Sequence, residues 1–189
     1  MTILIALSAV WICACDTKNQ QASEEGKPSA DTLSGAVTNV PNTSQSELLR
    51  TVLGKSGGDF RGVNFGDPVS KIKELESFEL FEDSTNHVGF TYETDNFEAI
   101  DVLYYLDNNQ LLKGIRVDVY LNDEPSVKGL WSQFETYLSG KYALDKKQDK
   151  VTFWKDKGGR IVKLEDVSKG KDFGLRLSIG TKGIKEMPM

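Results

Sequence analysis

Apolar residues recur in two different periods along this chain, and the change of period marks out its elements. Leu48, Leu49, Val52 and Leu53 are spaced as one face of a helix, because residues three and four apart share a side. Ser44-Gln45-Ser46-Glu47 precedes them as a capping box, and Gly54 with Gly57-Gly58 supplies the stop. A second helix is expected after Asp67 as N-cap and Pro68 at the first helical position, with Val69, Ile72 and Leu75 on one stripe. The strongest helical period runs from about Glu124 to Leu138 and puts Val127, Leu130, Trp131, Phe134, Tyr137 and Leu138 on one face. Elsewhere the period is two. Val88, Phe90 and Tyr92 alternate, as do Ile100, Val102 and Tyr104, then Ile115, Val117, Val119 and Leu121. After the long helix come Val151 and Phe153, Ile161 to Leu164, and Phe173, Leu175, Leu177 and Ile179. Turn residues at Asp107-Asn108-Asn109-Gln110 and Lys157-Gly158-Gly159 separate strand from strand, which predicts an antiparallel meander. The expected class is α+β, an antiparallel sheet with its helices on one face.

The elements repeat. Val88 to Tyr92 matches Val151 to Lys155 at an offset of 63 residues, Ile72 and Leu75 match Phe134 and Leu138 at 62 and 63, and Ile115, Val117 and Val119 match Leu175, Leu177 and Ile179 at 60. Two tandem α-β-β-β units are expected over residues 60–122 and 123–182, within a single domain 46–189.

The N-terminus follows different rules. Met1 to Cys15 is an apolar run of about a dozen residues, too short for a transmembrane helix, which needs ~20, but suited to a secretory signal. Its two cysteines can be read as a disulfide, a metal pair or a processing signal. Cys13 and Cys15 have no second pair and no nearby His, so a zinc set of four ligands is not assembled. Small Ala14 before Cys15 fits cleavage, whereas bulky Ile12 before Cys13 does not. Ile12-Cys13-Ala14-Cys15 resembles the lipobox of bacterial lipoproteins. That resemblance implies a signal peptide over 1–14, acylation (palmitate) at Cys15, and a domain attached to a lipid bilayer in the cell envelope, periplasmic or surface-facing. Asp16 resembles the inner-membrane retention signal of enteric bacteria. Residues 15–45 hold no aromatics and only Leu33, Val37 and Val40 as larger apolar groups, a composition that predicts a flexible, disordered tether.

The helix start after Gly66-Asp67-Pro68, the aromatic strand and the Ile- and Leu-rich strands, over Phe60 to Ile179, resemble known envelope domains. They are similar to the small α+β domains of SmpA/OmlA-type envelope lipoproteins and to the tandem units of β-lactamase inhibitor protein. Gly66-Asp67 stands where the former family has Gly-Met. The pattern implies a fold, and no catalytic or binding residue transfers with it.

The charge is −5, of which −2 belongs to the tether and −3 to the domain. This mild acidity, with no basic patch, excludes nucleic acid as an expected partner. No catalytic set stands out. His87, the only histidine, lies in a polar turn, Ser84 to Val88, with no cysteine to pair with. Neither Ser56-Gly57-Gly58 nor Leu138-Ser139-Gly140 makes a Gly-x-Ser-x-Gly elbow. Asp118, Asp123-Glu124, Glu165-Asp166 and the Asp107 turn lack the spacing of a calcium loop. No metal, cofactor or enzymatic activity is expected. If Phe90, Phe153, Val117 and Leu177 point to the helices, the other sheet face carries Tyr105, Arg116, Asp118, Tyr120, Trp154 and Arg176. These are residue types favoured at binding hot spots, although aromatics there can also simply shield the sheet, and a slip of one residue would exchange the faces. The expectation is a non-catalytic lipoprotein domain that binds an envelope protein or peptide. A small-molecule or lipid-binding groove between sheet and helices is the second reading, and a hydrolase with an unrecognised site the third.

Overall fold

The computed structural model describes residues 43–181, with side chains from Glu47 onward. The expected signal peptide, Cys15 and the tether as far as residue 42 lie outside the described residues. Among the described residues three helices, α1 (Thr43–Leu53), α2 (Val69–Leu75) and α3 (Glu124–Lys141), accompany eight strands. The strands are β1 (Glu79–Asp83), β2 (His87–Glu93), β3 (Ala99–Leu106), β4 (Leu112–Leu121), β5 (Ala143–Gln148), β6 (Val151–Lys155), β7 (Ile161–Asp166) and β8 (Phe173–Gly180). All belong to one antiparallel sheet in the order β1-β2-β3-β4-β8-β7-β6-β5. The fold is α+β. Each half is a helix followed by a four-stranded meander, and the halves join where Ile115, Val117 and Val119 pair with Ile179, Leu177 and Leu175.

Each half has one strand more than the alternation marks. These extra strands, β1 and β5, are the two edges of the sheet. Both are interrupted, β1 at Phe81 between Leu80 and Glu82, β5 at Asp145 between Leu144 and Lys146. Such a bulge breaks the period of two that would announce a strand, and bulges and charges keep exposed edges from pairing with other chains.

One face of the sheet is packed by the helices. A row of Phe90, Val102, Val117, Leu177, Leu164 and Thr152 crosses six strands, and beside it runs Val88, Tyr104, Ile115, Ile179, Val162 and Trp154. Val127, Leu130, Phe134 and Leu138 of α3, Ile72 of α2 and Leu48 and Val52 of α1 are buried in the same core. Each such side chain contributes about 1.5–3 kcal/mol through burial. Trp154 is therefore a core residue, fully buried (0% exposed), and its Nε1 donates to Ser139 Oγ of α3 at 3.1 Å. Placing it on the open face is corrected by the register. Leu80 faces Phe90, and its counterpart Leu144 faces Trp154, so the edge hairpins correspond at 64 residues. An odd offset of 63 exchanges the two faces, and Phe153 takes the outer one.

Capping agrees with the sequence at α3 and differs at α2, while α1 begins at Thr43, one residue before the expected cap Ser44. Asp123 caps α3, accepting the Ser126 N–H at 2.7 Å. At α2 the capping position is Pro68, while the Asp67 carboxylate accepts the Asn64 N–H at 2.7 Å and pairs with Lys71 at 2.9 Å. Asp67 thus closes the preceding turn instead of capping the helix. The loop 54–67 lies between α1 and α2, and at its start a Cβ on Gly58 (φ 63°) would stand 2.5 Å from the Val63 carbonyl oxygen. Its Asp59 takes both terminal nitrogens of Arg160, in the β6–β7 turn, at 2.7 Å, and its Arg61 is buried against α1 and the end of α2. The loop is thereby tied to the β6–β7 turn, to α1 and to the end of α2.

Candidate binding face

The face away from the helices is built by the alternate residues of the same strands. Its central row is Thr91, Asp101, Asp118, Arg176 and Glu165, one from each of β2, β3, β4, β8 and β7. A neighbouring row holds Leu103, Arg116, Ser178, Lys163 and Phe153. At one end Ala99, Tyr120 and Gly174 lie abreast, and toward the other His87, Tyr105 and Gly114.

Asp118 organises the charges. It is 4% exposed and lies between two guanidinium groups: Arg116 Nε at 3.0 Å from one carboxylate oxygen and Arg176 Nε at 2.5 Å from the other. A buried carboxylate needs such partners, because its desolvation is otherwise uncompensated. Asp101 faces Asp118 directly across β3 and β4 and accepts a 2.7 Å hydrogen bond from Thr91 Oγ1. Lys163 and Glu165 pair at 2.8 Å on β7. The face is a row of closely set carboxylates and cations, with Asp101 and Asp118 adjacent, flanked by aromatic rings. Burial lowers the Arg176 pKa, and the hydrogen bond and charge of Asp118 more than offset it, so that it stands above its ordinary value. Burial raises the Tyr120 hydroxyl, with the carboxylates of Asp118 and Asp101 adding to the effect. Tyr105 is also raised, chiefly by burial.

Tyr105, Arg116, Tyr120 and Arg176 thus share one face, and Trp154 lies on the other. Tyr120 is 49% exposed, whereas Tyr105 is buried, with the Arg116 guanidinium 5.9 Å from its ring centre and the His87 ring at 5.8 Å. The face also contains Phe153, Lys163 and Glu165, which alternation identifies once β6 is placed in its even register. Phe97, in the turn between β2 and β3, was not singled out by any period, since turns have none.

His87 is enclosed by its own hairpin. Nδ1 lies 2.9 Å from Ser84 Oγ and 2.7 Å from Asn86 Oδ1, and Nε2 lies 2.8 Å from Glu82 Oε1. Ser84 Oγ also lies 2.8 Å from Asn86 Oδ1 and 2.9 Å from the His87 carbonyl, and it accepts the His87 N–H at 3.2 Å. Serine, histidine and glutamate therefore meet here in a turn-closing network. Among the described residues no three or more His, Cys, Asp or Glu side chains converge as a metal site, and no helix is long and apolar enough to cross a membrane. Compared with protein-family models, with curated proteins and with solved structures, the chain has no match in any of the three.

Proposed function

We propose that this chain is a bacterial envelope lipoprotein, acylated at Cys15, whose α+β domain binds an envelope protein or peptide through the outer face of its sheet without chemistry of its own. The observation that carries the reading is the composition of that face. Helices pack one side of the sheet, while the other presents half-exposed Tyr120 beside the Asp118–Arg176 ion pair. Tyrosine and arginine are enriched at hot spots because each combines a large contact area with directional hydrogen bonding. A charge ladder adds register and specificity through complementary charge on the partner. The N-terminal lipobox-like Ile12 to Cys15 supports the membrane-anchored part. One acyl chain binds membranes only marginally, at ~0.8 kcal/mol per buried CH₂, so stable anchoring takes the two or more chains usual on a lipoprotein cysteine.

Two measurements test this. A photo-crosslinking residue at Tyr120 in the full chain should yield a discrete protein adduct in cells, and the same residue at Lys128 on the helical side should not. Equal adduct patterns at both positions would reject the binding face. Cys15→Ser should abolish palmitate labelling and release the chain from the membrane fraction, and persistent labelling would reject the anchor.

A further inference from the structure

Three hairpins of the sheet close with the same turn. In the first, Phe97 N–H donates to the Thr94 carbonyl at 3.0 Å and Thr94 N–H to Glu98 at 2.8 Å. In the second, Gln110 donates to Asp107 at 3.0 Å and Asp107 to Leu111 at 2.9 Å; in the third, Gly159 donates to Asp156 at 3.2 Å and Asp156 to Arg160 at 3.1 Å. The fourth residue has positive φ each time: 61° at Phe97, 61° at Gln110 and 78° at Gly159. Glycine adopts this conformation freely, and side chains resist it. Gly159 carries no side chain to resist it, and Gln110 uses the position to donate from Nε2 to the Thr85 carbonyl at 2.7 Å. Phe97 gains no such bond. Its ring is 81% exposed, the highest among the large apolar residues described, and among the described residues no ring or cation stacks on it. A strained backbone carrying an exposed aromatic is doubly unfavourable for the isolated fold.

The surroundings indicate what would compensate. Phe97 borders an open cleft of about 420 Å³ lined also by Leu48, Asp95, Glu98, Asn122 and Asp123. Asn122 Nδ2 donates to the Asn96 carbonyl at 2.8 Å and holds the tip against the β4–α3 connection. Three acidic residues therefore line the same cleft as one exposed apolar ring. Tyr120 pairs with Ala99 two residues beyond Phe97, so the tip adjoins the exposed end of the outer sheet face.

We infer that Phe97 is the anchor of a protein contact: its ring enters an apolar pocket on a partner whose rim bears Lys or Arg, opposite Asp95, Glu98 and Asp123. This deepens the protein-binding reading and rests on it. The acidic rim favours a cationic protein surface over a phospholipid one, whose anionic groups it would repel.

The test uses the full chain. Phe97→Gly should raise the melting temperature by about 2–4 °C, the shift that ~1 kcal/mol of relieved strain gives a domain of this size; a fall would make Phe97 structural and overturn the inference. p-Benzoylphenylalanine at position 97, in isolated membranes, should give one adduct whose crosslinked peptide contains Lys or Arg, with a yield that drops several-fold as ionic strength rises. An adduct at Tyr120 but none at position 97 overturns the anchor and leaves the sheet-face reading intact; none at either overturns both. A crosslinked peptide without a cationic residue also overturns it. So does Phe97-dependent flotation of the non-acylated Cys15→Ser chain with phosphatidylcholine vesicles, which would make the tip a lipid contact.

Discussion

Arg61 and Glu76 form a buried, two-pronged ion pair, with Nε and a terminal nitrogen of the guanidinium at 2.8 and 2.6 Å from the two carboxylate oxygens. Their side chains are 4% and 2% exposed. The remaining guanidinium nitrogen donates to the Thr51 and Val52 carbonyls at the end of α1, at 2.7 and 2.9 Å, and the group lies over the Phe78 ring at 4.0 Å. Glu76 also accepts the Tyr104 hydroxyl at 2.6 Å and two backbone N–H groups. Three otherwise separate pieces, α1, the end of α2 and β3, are fastened by one satisfied network. Arg61→Ala leaves the carboxylate buried with only part of its partners. The expected loss is about 3–5 kcal/mol, as for other broken buried pairs, read as a fall in the urea midpoint. A loss below ~1 kcal/mol would mean that water replaces the guanidinium.

The same pair makes stability depend on acid. Burial raises the Glu76 pKa, but the Arg61 hydrogen bond and charge and the Tyr104 hydroxyl outweigh it, and the carboxyl stands below its ordinary value. A group depressed in the folded state stabilises above its unfolded pKa, about 4.3 for Glu, and this is lost as pH falls through the folded value. The wild type should therefore lose stability progressively below about pH 4. Glu76→Gln should be less stable at neutral pH and show a shallower acid limb, measured by urea unfolding across a pH series. An unchanged slope would assign the acid limb to the other carboxyls held below their ordinary values, Asp59, Asp67, Asp123, Asp156 and Asp166.

Phe153 and Trp154 separate what was legible in the sequence from what was not. The long amphipathic α3, the central strands and the hairpin turns follow from periods and turn residues that depend on neighbours in the chain. The face taken by β6 does not. It is set by pairing with β5 and β7, and β5 has only Leu144 as a large apolar marker, with a bulge beside it. The outer-face residues on β4 and β8 were readable because Arg116, Asp118, Tyr120 and Arg176 alternate with Ile115, Val117, Val119, Leu175 and Leu177, whereas the end of β3, Leu103-Tyr104-Tyr105-Leu106, is apolar at every position and reads only from its first half. Phe97 was not, because its exposure and its φ are properties of a turn. The substitution test is direct. Trp154→Ala empties a fully buried site and should cost about 3–5 kcal/mol, whereas Phe153→Ala, partly exposed on the outer face, should cost clearly less. The reverse order in thermal unfolding would restore the odd register.

Asp118 and Asp101 make the last case, because two neighbouring carboxylates should respond in opposite ways. Asp118 is the shared counter-charge of Arg116 and Arg176 and accepts the hydrogen bond of Arg176 Nε. Asp118→Ala leaves two guanidinium groups on adjacent strands without their common counter-charge. The expected loss is about 1–3 kcal/mol, larger at low salt, where repulsion between the arginines is less screened. Asp101 instead faces Asp118 as a like charge, and its bond from Thr91 Oγ1 needs only an acceptor oxygen. Asn retains that oxygen and removes the repulsion. Asp101→Asn should therefore be neutral or slightly stabilising, within about 0.5 kcal/mol of wild type. Denaturant titrations of both variants at low and high salt decide the matter. A salt-independent loss at Asp118 would show that its carboxylate acts through packing alone, and a marked loss at Asp101 would show that the ladder needs both negative charges to balance Arg116 and Arg176.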